Sequence, residues 1–222
     1  NIQRHFAKMF AGIASLKSPD GNELQGMFSR EGEYVHFKQS IQLSDDPTIY
    51  RRLARVEGMM QSCLAHELQK AVESIKTIDS SNREVFLEWI DKYPAQIVLT
   101  AMQISWAQRI EDGLRKTTKH LEATEENIGH FLVILAEGVL GELPNDIRRK
   151  YEQLITDLVH QRDTSRQLAE AGTSSVEDFD WLYHMRYYWN ANQEDPLKKV
   201  EILMANAVFN YGFEYLGVGD KL

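Results

Sequence analysis

Cysteine is nearly missing from this sequence. Cys63 is the only one in 222 residues, so neither an intrachain disulfide nor a cage of thiolates around a metal can form, which fits a reducing compartment. Long apolar runs are missing as well. The longest, at 131–136, falls far short of the roughly 18 to 20 residues that cross a bilayer. Positive charge is in deficit, with 25 Lys and Arg against 33 Asp and Glu and a formal net charge of -8. No basic field exists to hold a phosphate backbone or anionic lipid, so nucleic acid and membrane are disfavoured, and a protein or a tethered domain is the expected partner.

Catalytic signatures are lacking too. A nucleotide hydrolase needs the glycine-rich string G-x-x-x-x-G-K-[ST], whose amides hold phosphates, and no such string occurs. Gly217-Val218-Gly219 is only a fragment of a weak motif and reads as a turn. The seven histidines do not form H-E-x-x-H; His66-Glu67 has no second His four positions on. His160 and Asp163 share a helix spacing but lack the third ligand that zinc demands. Cys63, between Met60 and Leu64, reads as a small buried hydrophobe. No catalytic, cofactor or metal residue is therefore assigned.

What is present is an ordinary globular composition, 43% hydrophobic and 26% charged, enough for a large core. Residues 1–10 read as the end of a helix. A turn at Ser18-Pro19-Asp20-Gly21-Asn22 and alternation through Tyr34, Val35, Phe37, Ile41 and Leu43 predict a β-hairpin within about 11–43, folded around Arg30-Glu31-Gly32-Glu33, with Gly32 at positive φ. Asp46-Pro47 predicts the start of a long helix. Its stripe, Leu53, Val56, Met60, Leu64, Leu68, Ala71 and Ile75, steps by three and four.

Ser81 and Glu84 have capping-box spacing ahead of a short helix that ends before Tyr93-Pro94. Residues 94–116 continue as a helix, 116–126 read as a polar connector, and helix resumes at Thr124. The all-round apolar stretch 131–136 predicts a centrally buried helix. Residues 145–170 form a further helix with Ile147, Tyr151, Leu154 and Leu158 inside, and with Arg148, Arg149, Lys150, Asp157, Arg162 and Asp163 outside. Ser175 caps another, bearing Phe179, Trp181, Leu182, Met185 and Tyr188. Two strands joined near Ala205-Asn206-Ala207, the second running through Phe209, Tyr211, Phe213 and Tyr215, close the chain. The fold class is mainly α, an elongated helical bundle over 1–198 with a short β ribbon over 199–222.

The sequence starts at Asn1 without Met or a secretory layout. It ends on Gly217-Val218-Gly219-Asp220-Lys221-Leu222, which reads as a loop opening into a further element.

Phe179-Asp180-Trp181-Leu182, Met185-Arg186-Tyr187-Tyr188 and the run from Met204-Ala205-Asn206-Ala207-Val208-Phe209 through Asn210-Tyr211-Gly212-Phe213-Glu214-Tyr215 to Leu222 resemble cytoplasmic dynein heavy chains. The resembling stretch is the approach to the first AAA+ module. Lys8-Met9-Phe10-Ala11-Gly12, Ser29-Arg30-Glu31-Gly32-Glu33, Trp89-Ile90-Asp91-Lys92-Tyr93 and Leu154-Ile155-Thr156-Asp157 resemble the same family in the same order. The resemblance implies the C-terminal part of a linker that arches over a ring of AAA+ modules and bends as the first module hydrolyses ATP. It implies a microtubule motor as parent, cytoplasmic and homodimeric, with ATP and magnesium in the ring and accessory chains and regulators as partners. Lys221 and Leu222 would approach the adenine of the first nucleotide.

Two further expectations follow for the residues of such a lever. Bending is expected at helix junctions: Thr77 to Ser81, Lys92 to Pro94, or Thr117 to Thr124. Phe209, Tyr211, Phe213 and Tyr215, with Asp220, are candidates for anchoring the arm to the ring, and plain core packing of the aromatics stands equally open. From the residues alone, a helical scaffold or adaptor that only binds other proteins is the competing class.

Overall fold

The computed structural model describes residues 1–219; the candidate residues Asp220, Lys221 and Leu222 lie outside the described residues. Within them the chain is mainly helical, with a three-stranded antiparallel sheet near each end. The order is α1 (Ile2–Met9), β1 (Ser15–Lys17), β2 (Glu23–Phe28), β3 (Tyr34–Gln42), α2 (Ile49–Ile75), α3 (Arg83–Lys92), α4 (Ala95–Lys116), α5 (Thr118–Val139) and α6 (Asn145–Glu170). The chain then forms α7 (Phe179–Leu182), β4 (Arg186–Trp189), β5 (Val200–Met204) and β6 (Ala207–Asn210). It exposes 12159 Å² where a compact monomer of its mass exposes about 10,400 Å², an excess in the direction of an extended body.

The sequence stripe of α2 is the face it buries: Val56, Met60, Leu64, Leu68, Ala71 and Ile75 are all in the core. They pack on α4, which also meets α5, α6 and β4 and is apolar nearly all round, with Ile97, Val98, Ala101, Ile104, Ala107 and Ile110 buried. The central helix is thus α4 and not the one carrying 131–136. In α5, Phe131, Leu132, Ile134 and Leu135 face inward while Val133 is 58% exposed. The predicted turn at Arg30-Glu31-Gly32-Glu33 is present with Gly32 at φ 93, and the hairpin gains β1 as a third strand on the far side of β2.

Several boundaries differ from the sequence reading, each for a local reason. Thr48 and not Asp46 caps α2, its hydroxyl accepting the Arg51 amide at 3.2 Å. The Asp46 carboxylate is instead drawn onto Arg55, 2.6 Å away, and its carbonyl accepts Arg52 Nε. Asn82 takes the cap of α3 from Ser81, since its amide oxygen accepts the Val85 N–H at 3.2 Å. The supposed connector at 116–126 shrinks to one residue, Thr117. Polar as it is, this stretch still places Leu121, Thr124 and Ile128 on one helical face. Gly113 has no Cβ, and one built there would stand 3.0 Å from Leu121 Cδ2, so the two helices close tightly after a single residue.

The helix expected from Ser175 reduces to the single turn α7, capped at Asp178. Arg186, Tyr187, Tyr188 and Trp189 leave it to pair with β5, from Arg186↔Leu203 to Trp189↔Val200. Aromatic residues favour a strand once a partner edge is at hand. The C-terminal sheet therefore begins before residue 199. Its last strand stops at Asn210, leaving β6 as an edge with Val208 and Phe209 exposed.

Leu121 decides between a connector and a helix. Leu121→Ala is expected to destabilise the chain by about 2–5 kcal/mol, as for a buried leucine, measured by denaturant unfolding. A loss under about 0.5 kcal/mol, typical of surface positions, would contradict the closed joint.

The C-terminal strap and its buried anchor

After β6 the chain abandons sheet geometry and runs as a strap, 211–219, back across the body to the N-terminal sheet. Phe213 adopts φ 48, rare for a residue with a side chain. This breaks the alternation of the aromatics, and Phe213 and Tyr215 both end up about 1% exposed.

The strap is held first by Gln96 in the opening turn of α4, itself 3% exposed. Its Nε2 donates to the Tyr211 hydroxyl and to the Glu214 carbonyl, both at 2.9 Å, and its Oε1 accepts the Leu216 N–H at 2.9 Å. A buried amide with all these bonds made substitutes for a neighbouring strand, and so satisfies backbone groups that the sheet has left behind.

The second hold is Tyr215. Its hydroxyl donates to Glu33 Oε1 at 2.7 Å, while Glu33 Oε2 accepts the Ala95 N–H at 2.9 Å. The Tyr215 amide meets Met60 Sδ at 3.4 Å. The backbone at Gly12 also presses on the strap: a Cβ at that position would lie 1.9 Å from the Tyr215 carbonyl oxygen. Farther out, Val218 N–H donates to Glu31 Oε2 at 3.3 Å, Gln153 Nε2 donates to the Gly219 carbonyl, and Gln61 Nε2 reaches the Gly212 carbonyl at 3.4 Å.

Lys150 completes the anchor. At 5% exposed, its ammonium donates to the Tyr93 carbonyl at 2.6 Å. Burial pushes the Glu33 carboxyl above its ordinary range, and the Tyr215 hydroxyl, the Ala95 amide and the charge of Lys150 offset only part of that shift. Burial lowers the Lys150 ammonium, with Glu33, Asp91 and Asp146 pulling it back. Burial also drives the Tyr215 phenol far up, with Glu33 adding to the shift, so it stays a donor at any pH of interest. The arrangement is a tether. Gln96, Glu33 and their neighbours hold the strap, while Lys150 fixes the Tyr93 carbonyl beside them.

The profile of the family described as Dynein heavy chain, N-terminal region 2 matches residues 1–71. Over the whole chain the sequence is 44% identical to a protein named "Dynein heavy chain, cytoplasmic" in Dictyostelium discoideum, 43% to its namesake in Paramecium tetraurelia and 41% to that in Drosophila melanogaster. In sequence, this chain is similar along its whole length to dynein heavy chains. It covers 5% of the length of each of these dynein relatives.

The residues singled out for the dynein resemblance fall in different places. Tyr211, Phe213 and Tyr215 converge on the strap anchor, whereas Phe209 stands 56% exposed on β6. Of the suggested bending points, Thr77 follows α2 with its hydroxyl on the Ser74 carbonyl, and Ser81 lies in the turn before α3. Pro94 sits at the corner of α3 and α4, pinned by Lys150 on one side and Glu33 on the other. Thr117 is the one-residue joint. Thr124 is no junction: it lies inside α5, buried, its hydroxyl on the His120 carbonyl. Gln96 and Lys150 carry no anchor signal in the sequence, and Lys150, an outer-face residue by periodicity, is buried. A lone lysine on a helix ordinarily marks a solvated face, and only its fit beneath the α3–α4 corner shows otherwise.

Two measurements test the anchor. Gln96→Leu leaves the Leu216 N–H and the Glu214 carbonyl without partners, at about 1–3 kcal/mol for each buried group; denaturant unfolding should show a loss of at least that size. The second concerns pH. Because the folded-state carboxyl of Glu33 is raised, its contribution to stability is fully present below its ordinary value of 4.5 and is lost as pH rises through the folded value. The unfolding midpoint of wild type, relative to that of Glu33→Gln, should therefore fall between pH 4.5 and neutrality, and parallel profiles would contradict the buried anion.

Proposed function

We propose that this chain is part of the mechanical linker of a minus-end-directed, ATP-driven microtubule motor, coupling the nucleotide state of an AAA+ ring in the same polypeptide to movement. The observation that carries the reading is the strap. A segment similar to dynein heavy chains along its whole length ends its described part in a ribbon clamped by polar side chains from the β2–β3 turn, α2, α4 and α6. A lever needs this kind of joint, since force entering at one end must reach the whole body and not peel away a terminal strand.

The long helices α2, α4 and α6, packed along their apolar faces, supply stiffness over about 1.5 Å per residue of length. With Phe213 and Tyr215 turned inward, they anchor the strap to the arm. The exposed Val208 and Phe209 and the outward part of Leu216 are apolar groups free to meet the ring. On this reading the segment is non-catalytic, and ATP and magnesium bind in the ring. The parent acts in the cytoplasm on microtubules, as a homodimer with accessory chains and regulators.

The test is energy transfer between a dye at the exposed position Leu140 and a dye on the ring of the parent motor. A change in transfer between ATP and nucleotide-free states is expected, and it should shrink in Gln96→Leu while ATP turnover persists. A motile parent whose transfer stays constant through the nucleotide cycle would remove the lever reading.

A further inference from the structure

We propose that Glu33 couples the strap to the corner between α3 and α4, so that seating or lifting of the strap sets how firmly the first turn of α4 is capped. Ala95 is the first residue of α4, and its amide is among those that no helical carbonyl can satisfy. Pro94, at the N-cap, offers no side-chain acceptor. The acceptor comes from outside the helix, from Glu33 in the turn between β2 and β3, 62 residues away in sequence. A carboxylate there also meets the positive end of the α4 dipole.

The same carboxylate holds the strap. One oxygen takes the Ala95 amide and the other takes the Tyr215 hydroxyl, so the cap of α4 and the peg of the strap are two ends of one side chain. Lys150 from α6 holds the carbonyl of Tyr93 on the other side of Pro94, and its charge acts on Glu33. The charged groups facing this carboxylate are thus Lys150 and Glu31.

When the strap lifts, Glu33 loses its strongest neutral donor and gains access to water. A half-satisfied buried carboxylate no longer has a single best position, so the Ala95 amide loses a fixed acceptor. The two states of the strap then correspond to two degrees of order at the corner, which is what coupling between distant elements requires. This inference concerns the strap of the lever reading but stands on geometry alone, and its test does not depend on movement.

The experiment is amide hydrogen exchange on the parent polypeptide, resolved to residues 93–98 and 211–219. Tyr215→Phe, which removes only the hydroxyl, should raise exchange at Ala95 by about tenfold, the equivalent of one hydrogen bond of ordinary net strength. Gln153→Leu frees the outer end of the strap at Gly219 without touching Glu33. It should raise exchange at the strap and leave Ala95 unchanged. Faster exchange confined to the strap in Tyr215→Phe, or an equal rise at Ala95 in both variants, overturns the proposal. Should Tyr215→Phe fail to fold, Glu33→Gln serves: exchange at Ala95 and at the strap should rise together, and independent movement of the two overturns it.

Discussion

A side-chain amide that leaves water must find partners for both of its ends, and Gln96 finds all of them on a segment more than a hundred residues away. Much of the architecture follows from this. With α4 buried on nearly every side, a polar residue in its first turn is tolerable only if something polar lies against it. The strap supplies that: a length of backbone released from β6 with unpaired carbonyls and amides. Each solves the other's problem, which is why a stretch rich in aromatics gives up strand geometry at Asn210 although its composition favours a strand.

The anchor also explains why the two sheets belong to one body. The N-terminal sheet contributes little to the packing of the helices apart from the contact of β3 with α2, yet its turn delivers Glu31 and Glu33 to the strap. The C-terminal sheet is the strap's origin. Between them, α2 presents Met60 and Gln61, and α6 presents Lys150 and Gln153. Charge in this region is placed at a cost, since both Glu33 and Lys150 are shifted towards neutrality by burial. A polar knot of this kind adds less to stability than apolar packing of the same volume, but it accepts one geometry and rejects others.

Where periodicity was strong, the sequence was readable. The stripe of α2, the extent of α6, the hairpin turn at Gly32 and the stop at Pro94 all rest on local signals that tertiary structure did not overrule. Reading failed where polar composition hid a face. In α5 the sparse triad Leu121, Thr124 and Ile128 was enough for a helix because Gly113 let it approach. Reading failed again where a distant strand rescued a short one: nothing local distinguishes Arg186–Trp189 from a continued helix until β5 is known to lie alongside. The anchor was half legible. Alternating aromatics drew notice to Tyr211 and Tyr215, whereas Gln96 and Lys150 have no sequence signature, because their importance lies in what faces them.

The contacts of the strap join residues very far apart in the chain: Leu216 to Gln96 across 120 positions, Tyr215 to Glu33 across 182, and Val218 to Glu31 across 187. During synthesis from the amino end, α2, α4 and α6 can collapse on one another well before the strap leaves the ribosome. Until then the Gln96 amide has only solvent to bond with and Glu33 keeps only the Ala95 amide, in a groove that the strap later closes. The strap, translated after the helices it rests on, is thus the segment that seals the body, and a nascent arm remains recognisably unfinished until translation has passed it.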